Sequence, residues 1–164
     1  MIPEKPRSFR VLRQRHSSSE KYHKMEQLIY QDQFATVKHL KDSDTLFIKW
    51  CDNDTPMGLD HYKVPFLKTL DYQITLDKKA VNFLSDITDQ QTVSPKYQKW
   101  LQKEILAKAE EVGIRHIGII LSANAFKRFY INKVIGYVSK TNLPIKTFKD
   151  FQSAIEWFKS FDTD

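Results

Sequence analysis

The chain has one cysteine, four glycines and six prolines in 164 residues. A lone Cys51 excludes an internal disulfide framework and a thiolate zinc site, and it fits a reducing compartment, where it reads as a small core residue. The longest apolar run, Ile117 to Leu121, is far below the roughly 18 residues that a bilayer span requires, and no apolar signal segment follows the N-terminus. The expected location is cytoplasmic. No Gly-rich phosphate loop, Gly-x-Ser-x-Gly elbow or His-Glu-x-x-His motif occurs, and the five histidines (His16, His23, His39, His61, His116) lack metal-ligand spacing. The chain is therefore expected to have no catalytic residues, no metal and no cofactor. Asp86 is the one carboxylate worth testing for chemistry, although an Asp at a strand end more often closes a turn.

What is present suits one domain: 41% of the residues are hydrophobic and 13% aromatic, enough apolar material for a single core at this length. The net charge of +6 is unevenly spread. Residues 1–24 hold seven Lys or Arg against two Glu, so that stretch carries +5 of the total. With Pro3, Pro6 and Ser17 to Ser19, its composition is that of a flexible basic arm, assigned to residues 1–26, ahead of a folded domain at 27–164. Arg7, Arg10, Arg13 and Arg15, interleaved with Phe9, Val11 and Leu12, are the candidates for holding phosphates or an anionic membrane. Nucleic acid is an unlikely partner in this reading, because the body of the protein is nearly neutral. Met25, directly before the domain, is an alternative start.

Phe34 to Leu40 and Thr45 to Trp50 are rich in β-branched and aromatic residues, and Lys41-Asp42-Ser43-Asp44 separates them, so they predict an antiparallel hairpin at a sheet edge. Asp54-Thr55-Pro56 predicts a helix start, with the apolar face Leu59, Tyr62, Val64, Phe66, Leu67 and Leu70 following; Pro65 should bend or split this helix. Ala80 to Ser85 predicts a buried strand. Ser94-Pro95 opens a long helix that Gly113 ends, and Ile114 to Leu121 predicts a central strand. A third helix is expected from Ser122-Ala-Asn124, with its stripe at Phe126, Phe129, Tyr130, Val134, Tyr137 and Val138; its aromatics alternate with Lys127, Arg128 and Lys133, as in any amphipathic helix that covers a core. Pro144 to Phe148 predicts a last strand, and Asp150 starts a C-terminal helix. The fold class is α/β: a mixed, mainly parallel central sheet of about five strands, in the order β-β-α-β-α-β-α-β-α, covered by helices.

Four features together, over roughly residues 30–161, resemble the STAS superfamily, in particular its small stand-alone STAS-like, anti-sigma-factor-antagonist-like bacterial proteins. They are the opening hairpin; the strand ending Phe83-Leu84-Ser85-Asp86; Val93-Ser94-Pro95-Lys96-Tyr97-Gln98-Lys99-Trp100, which leads a long helix; and Phe148-Lys149-Asp150 with the helix through Phe158. The resemblance implies a non-enzymatic regulatory module of bacterial signalling that binds another protein, often under phosphorylation control. The family's regulatory serine lies in an Asp-Ser-(Ser/Thr)-Gly stretch. Here that place reads Asp86 to Pro95 with no such tetrad, and Ser94 stands nearest to it.

A parallel sheet places ligands beyond the carboxyl ends of its strands, where helix N-termini at Ser94 and Asn124 would suit an anionic or lipid headgroup. Asp86, Thr88, Asp89, Ser94, Ser122 and Asn124, with Lys127 and Arg128, are the candidate ligand or regulatory residues. Two alternatives to the signalling reading follow from the sequence: a small-ligand or lipid-binding protein that uses this crevice, and weak nucleic-acid or anionic-membrane binding through the arm.

Overall fold

The computed structural model describes residues 25–91, 93–122, 132–133, 136 and 142–163. The elements are β1 (Glu26–Gln31), β2 (Ala35–Leu40), β3 (Thr45–Trp50), α1 (Leu59–Thr75), β4 (Asn82–Asp86), α2 (Pro95–Trp100), a π-helical stretch (Leu101–Leu106), α3 (Ala107–Ala109), β5 (His116–Ile120), β6 (Ile145–Phe148) and α4 (Phe151–Lys159), which closes with a 3₁₀ turn at Ser160–Thr163. The arm residues Arg7, Arg10, Arg13 and Arg15, the apolar stripe of the third helix, Asn124, Lys127 and Arg128 lie outside the described residues, and of that helix residues 132–133 and 136 are described, as helical.

The six strands form one sheet in the order β1-β2-β3-β4-β5-β6. β1, β2 and β3 pair antiparallel, and β3 through β6 pair parallel, so the sheet is mixed as expected. The expected count of about five strands is too low. The additional strand is β1, which pairs with β2 and displaces the predicted hairpin from the edge. Its sequence, Glu-Gln-Leu-Ile-Tyr-Gln, carries one β-branched residue, and its register slips between Leu28 and Tyr30, so it lacks the alternation that marks a strand. The β1–β2 turn is tied by Asp32, whose Oδ1 accepts from the Phe34 and Ala35 amides at 2.7 and 2.8 Å. Tyr30 donates to the same carboxylate at 2.7 Å, and that bond raises the Tyr30 pKa above the usual phenol value.

Alternation along the strands separates two cores. Val37, Leu46, Ile48, Trp50, Ile117 and Ile119 pack on one face with α1 and the π-helical stretch, whereas Leu40, Leu84 and Ile120 pack on the other with Ala154, Ile155 and Phe158 of α4. Side chains such as Val37, Ile48 and Leu84, at 0% exposure, each contribute on the order of 2 kcal/mol by leaving water. Gly118 lets α4 approach β5, since a Cβ there would stand 3.0 Å from Leu84 and 3.1 Å from Phe158.

Three local expectations need correction. The first helix begins at Leu59, not at Asp54-Thr55-Pro56: Asn53 Oδ1 engages the Thr55 amide in a turn, and Gly58 takes the N-cap, with its N–H donating to His61 Nδ1 at 3.1 Å. Pro65 neither splits nor ends α1, which runs from Leu59 through Thr75. One lost backbone bond is outweighed by a buried stripe of Tyr62, Phe66, Thr69 and Gln73 on the sheet, and Thr69 Oγ1 donates back to the Pro65 carbonyl at 2.7 Å. Cys51 is half-buried at the end of β3, not a core residue. Elsewhere the local signals match: Ser94 and Pro95 open α2, Gly113 ends the helical run at φ +105°, and Asp150 caps α4 by accepting from the Ser153 amide at 2.8 Å. That bond holds the Asp150 carboxyl below its ordinary pKa.

Candidate functional site

The carboxyl ends of β3 to β6 do share one edge of the sheet, but the polar residues expected to converge there are dispersed. Asp86 projects to the α4 face, where it lies 3.3 Å from Lys49 Nζ and accepts from the Thr88 amide at 3.0 Å. It is largely buried and closes the turn after β4, with Thr88 half-buried beside it and Asp89 exposed. Ser94 is exposed at the N-cap of α2, and its hydroxyl makes no capping bond; Ser122 is half-buried just after β5. Asp86 and Thr88 are thus brought together, while no described contact joins them to Ser94 or Ser122.

The prominent concave feature lies on the opposite face, one residue away in β4. Between the sheet and the helical layer is a cavity with about 80 Å³ of space that the centre of a water molecule can occupy. Strands supply Leu46, Ser85 and Ile119 to its wall, α1 supplies Phe66 and Gln73, and the π-helical stretch supplies Ile105. This is several times the roughly 10–15 Å³ that one water needs, and the wall is overwhelmingly apolar, the condition under which a cavity stays dry and accepts apolar guests. A π-helical turn is uncommon and is frequent at functional sites; here it brings Leu101, Ile105 and Leu106 to the same wall.

The few polar groups on the wall divide in two. Gln73, at 0% exposure, is fully engaged: Nε2 donates to the Ala80 carbonyl at 2.7 Å and the Val112 carbonyl at 2.9 Å, and Oε1 accepts from the Ala80 amide at 3.1 Å. Thr69 is committed to the Pro65 carbonyl. Ser85 accepts from Trp50 Nε1 at 3.2 Å, which leaves its own hydrogen free to donate, and the Gln90 side chain has no hydrogen-bond partner among the described residues. Both stand toward the carboxyl end of β4. Near that end, Gln91 ties the loops after β3 and β4 together by donating to the Asn53 carbonyl and, at 2.9 Å, to the Thr55 carbonyl.

Two histidines sit in polar clusters away from the cavity. His39 Nδ1 lies 2.8 Å from the Tyr72 hydroxyl, which donates to Gln27 Oε1 at 3.2 Å, while His39 Nε2 is buried without a partner among the described residues. Burial lowers the His39 pKa, with Asp44 opposing and Lys41 reinforcing the shift, and burial raises that of Tyr72. His116 Nδ1 lies 2.8 Å from Asn82 Oδ1, and its ring stacks on Phe161 at 3.8 Å; burial lowers its pKa against the pull of Asp162. Among the described residues no three His, Cys, Asp or Glu side chains stand close enough to hold a metal ion, and no helix is long and apolar enough to cross a membrane.

Comparison with protein-family models, curated proteins and solved structures finds no match to this chain. Sequence reasoning placed its candidate residues at the carboxyl ends of the strands, on the polar edge that holds Asp86, Thr88 and Ser122. Ser85 and Gln90, which line the cavity, were not among those candidates, because Ser85 is one of three polar residues in β4 and Gln90 one polar residue in the loop after it, so type and spacing single out neither.

Proposed function

We propose that the protein is a non-catalytic binding module whose ligand is a small apolar molecule, or the apolar end of a larger one, held between the sheet and the α1/π-helical layer. The observation that carries this reading is the cavity, whose space no described side chain fills in a core otherwise packed with Leu, Ile and Phe. An unfilled apolar void costs stability, about 24 cal/mol per Å³, so about 2 kcal/mol for 80 Å³. A ligand that fills it recovers that loss on binding.

Xenon, which enters dry apolar cavities, tests the reading. Under xenon pressure, amide and methyl resonances of Ile105, Ala109 and Ile119 are expected to shift in a saturable way, and Ala109→Leu, which occupies the space from the wall, is expected to abolish the shift. Absence of any saturable shift in the wild-type protein removes the proposal.

A second reading, the STAS-like regulatory module that binds another protein, is favoured by one feature. Among the described residues β1 pairs on one side only, and it exposes Leu28 at 56%, so an incoming strand could extend the sheet. If a partner docks there, its addition protects the β1 amides from hydrogen exchange, and Ile29→Pro in β1 abolishes the protection.

A further inference from the structure

Among the described residues the wall of the cavity contains no Asp, Glu, Lys, Arg or His. A charged group placed inside would lose its hydration and find no counter-charge, which excludes an ionised ligand even where its apolar body fits. The wall is nonetheless not uniformly apolar. Ser85 is 7% exposed, faces the space from β4, and retains a hydrogen to donate once its oxygen has accepted from Trp50. Gln90 faces the same space with an amide that can both donate and accept. Of the other polar groups on the described wall, Thr69 and Gln73 already donate to backbone carbonyls, Trp50 Nε1 donates to Ser85, and Tyr62 brings a hydroxyl from α1. Among the described residues, Ser85 and Gln90 therefore bring hydrogen-bonding capacity together at one end of the cavity, by the carboxyl end of β4, and most of the other side chains on the described wall are hydrocarbon.

Resting on the binding function proposed above, we infer that the cavity selects an uncharged ligand with an apolar body and one hydrogen-bonding oxygen, an alcohol, ketone or ester, whose oxygen is held by Ser85 and Gln90. The body points away from them, toward Ile105 and Ala109. A carboxylate of the same length is rejected, because among the described residues its charge meets amide and hydroxyl groups where a cation would be needed. The chemistry of recognition is thus one or two neutral hydrogen bonds at the end of an apolar slot. This arrangement discriminates strongly, since a ligand that lacks the oxygen leaves the polar end unmatched and a ligand that carries charge cannot shed its water.

The test titrates the full chain at pH 7.5 with 1-pentanol, 2-pentanone and pentanoate, followed by NMR, with xenon as the probe that has no polar end. The alcohol and ketone are expected to bind at least about tenfold more tightly than pentanoate. Gln90→Leu, which breaks no bond within the described structure, is expected to weaken the alcohol by about five- to tenfold while xenon binding stays within about twofold. Ser85→Ala is expected to act in the same direction, and Gln90→Leu keeps the test available if loss of the Trp50 partner unfolds that variant. Pentanoate binding as tightly as pentanol overturns the inference. So does xenon binding with no preference for the oxygenated probes, or a Gln90→Leu variant that binds pentanol unchanged; both outcomes leave the cavity itself intact as a binding site. Failure of every probe, xenon included, removes the binding function and this inference together.

Discussion

Replacing Gln73 with Leu keeps the size of the side chain and removes all three of its hydrogen bonds, so it separates what that residue does from the space it fills. In the folded protein it joins three segments: its own helix α1, the residue Ala80 that leads into β4, and Val112 at the end of the helical run after α3. Neither the Ala80 amide nor the Ala80 and Val112 carbonyls has another described hydrogen bond, so Gln73→Leu leaves one donor and two acceptors unmatched. Each buried orphan costs about 1–3 kcal/mol, and Val112 is the one closest to water, which gives a total of about 4 kcal/mol. A slope of about 2 kcal/mol per molar urea, ordinary for a domain of this size, converts this to a midpoint lower by about 2 M. The assay is equilibrium urea unfolding followed by tryptophan fluorescence and circular dichroism, with coincident transitions required. A midpoint within about 0.5 M of wild type at unchanged slope refutes the reasoning, because Ala80 and Val112 would then not depend on the amide for satisfaction.

Gly113→Ala is expected to cost about 1–3 kcal/mol in the same assay, since φ is +105° and the new Cβ would stand 3.1 Å from Lys79 Cβ; Gly58→Ala, at φ −78° and in ordinary contact with His61, should cost less. Stability should fall as pH drops below the unfolded histidine value of about 6.5: burial lowers the folded-state pKa of His39 and His116, so the unfolded chain takes up protons that the folded chain refuses, and the loss continues until the folded groups titrate. Urea midpoints between pH 7.5 and 5 test this, and His39→Gln together with His116→Gln should flatten the decline; an unchanged slope in the double variant would assign the pH dependence to other groups.

The parts of the fold that could be read from the sequence are those in which one residue type carries a local physical demand. Ser94-Pro95 can open a helix because Pro lacks the N–H that a first turn leaves unpaired, Gly113 can end one because it alone reaches positive φ without strain, and Asp150 caps because its carboxylate accepts an amide. β3 and β5 announce themselves by mostly apolar or β-branched character, and β4 by the apolar residues of Ala80 to Leu84 around Asn82. β1 does not, because a strand that pairs on one side among the described residues needs little apolar material and a register slip breaks what alternation it has. Pro65 misled for the opposite reason: the local rule against proline within a helix is real, but it concerns one hydrogen bond, and four buried side chains on the same helix outweigh it.

The site was harder to read than the fold, because a cavity is an absence and no residue encodes it. Ile105, Ile119 and Phe66 carry the same periodic signature whether the space opposite them is filled or empty, so a pattern that predicts burial cannot predict what the burial leaves open. The polar candidates read from the sequence have the converse weakness. Asp86, Ser94 and Ser122 stood out by type and by position at strand and helix ends, yet a strand sends successive side chains to opposite faces, and this sets Asp86 against Lys49 and α4 while Ser85 turns toward Trp50 and the cavity. One step along β4 therefore separates a residue that closes a turn from one that lines the proposed site. That distinction depends on which face of the sheet each helix covers, a property of tertiary packing to which Ser85 and Asp86 as letters in a sequence give no access.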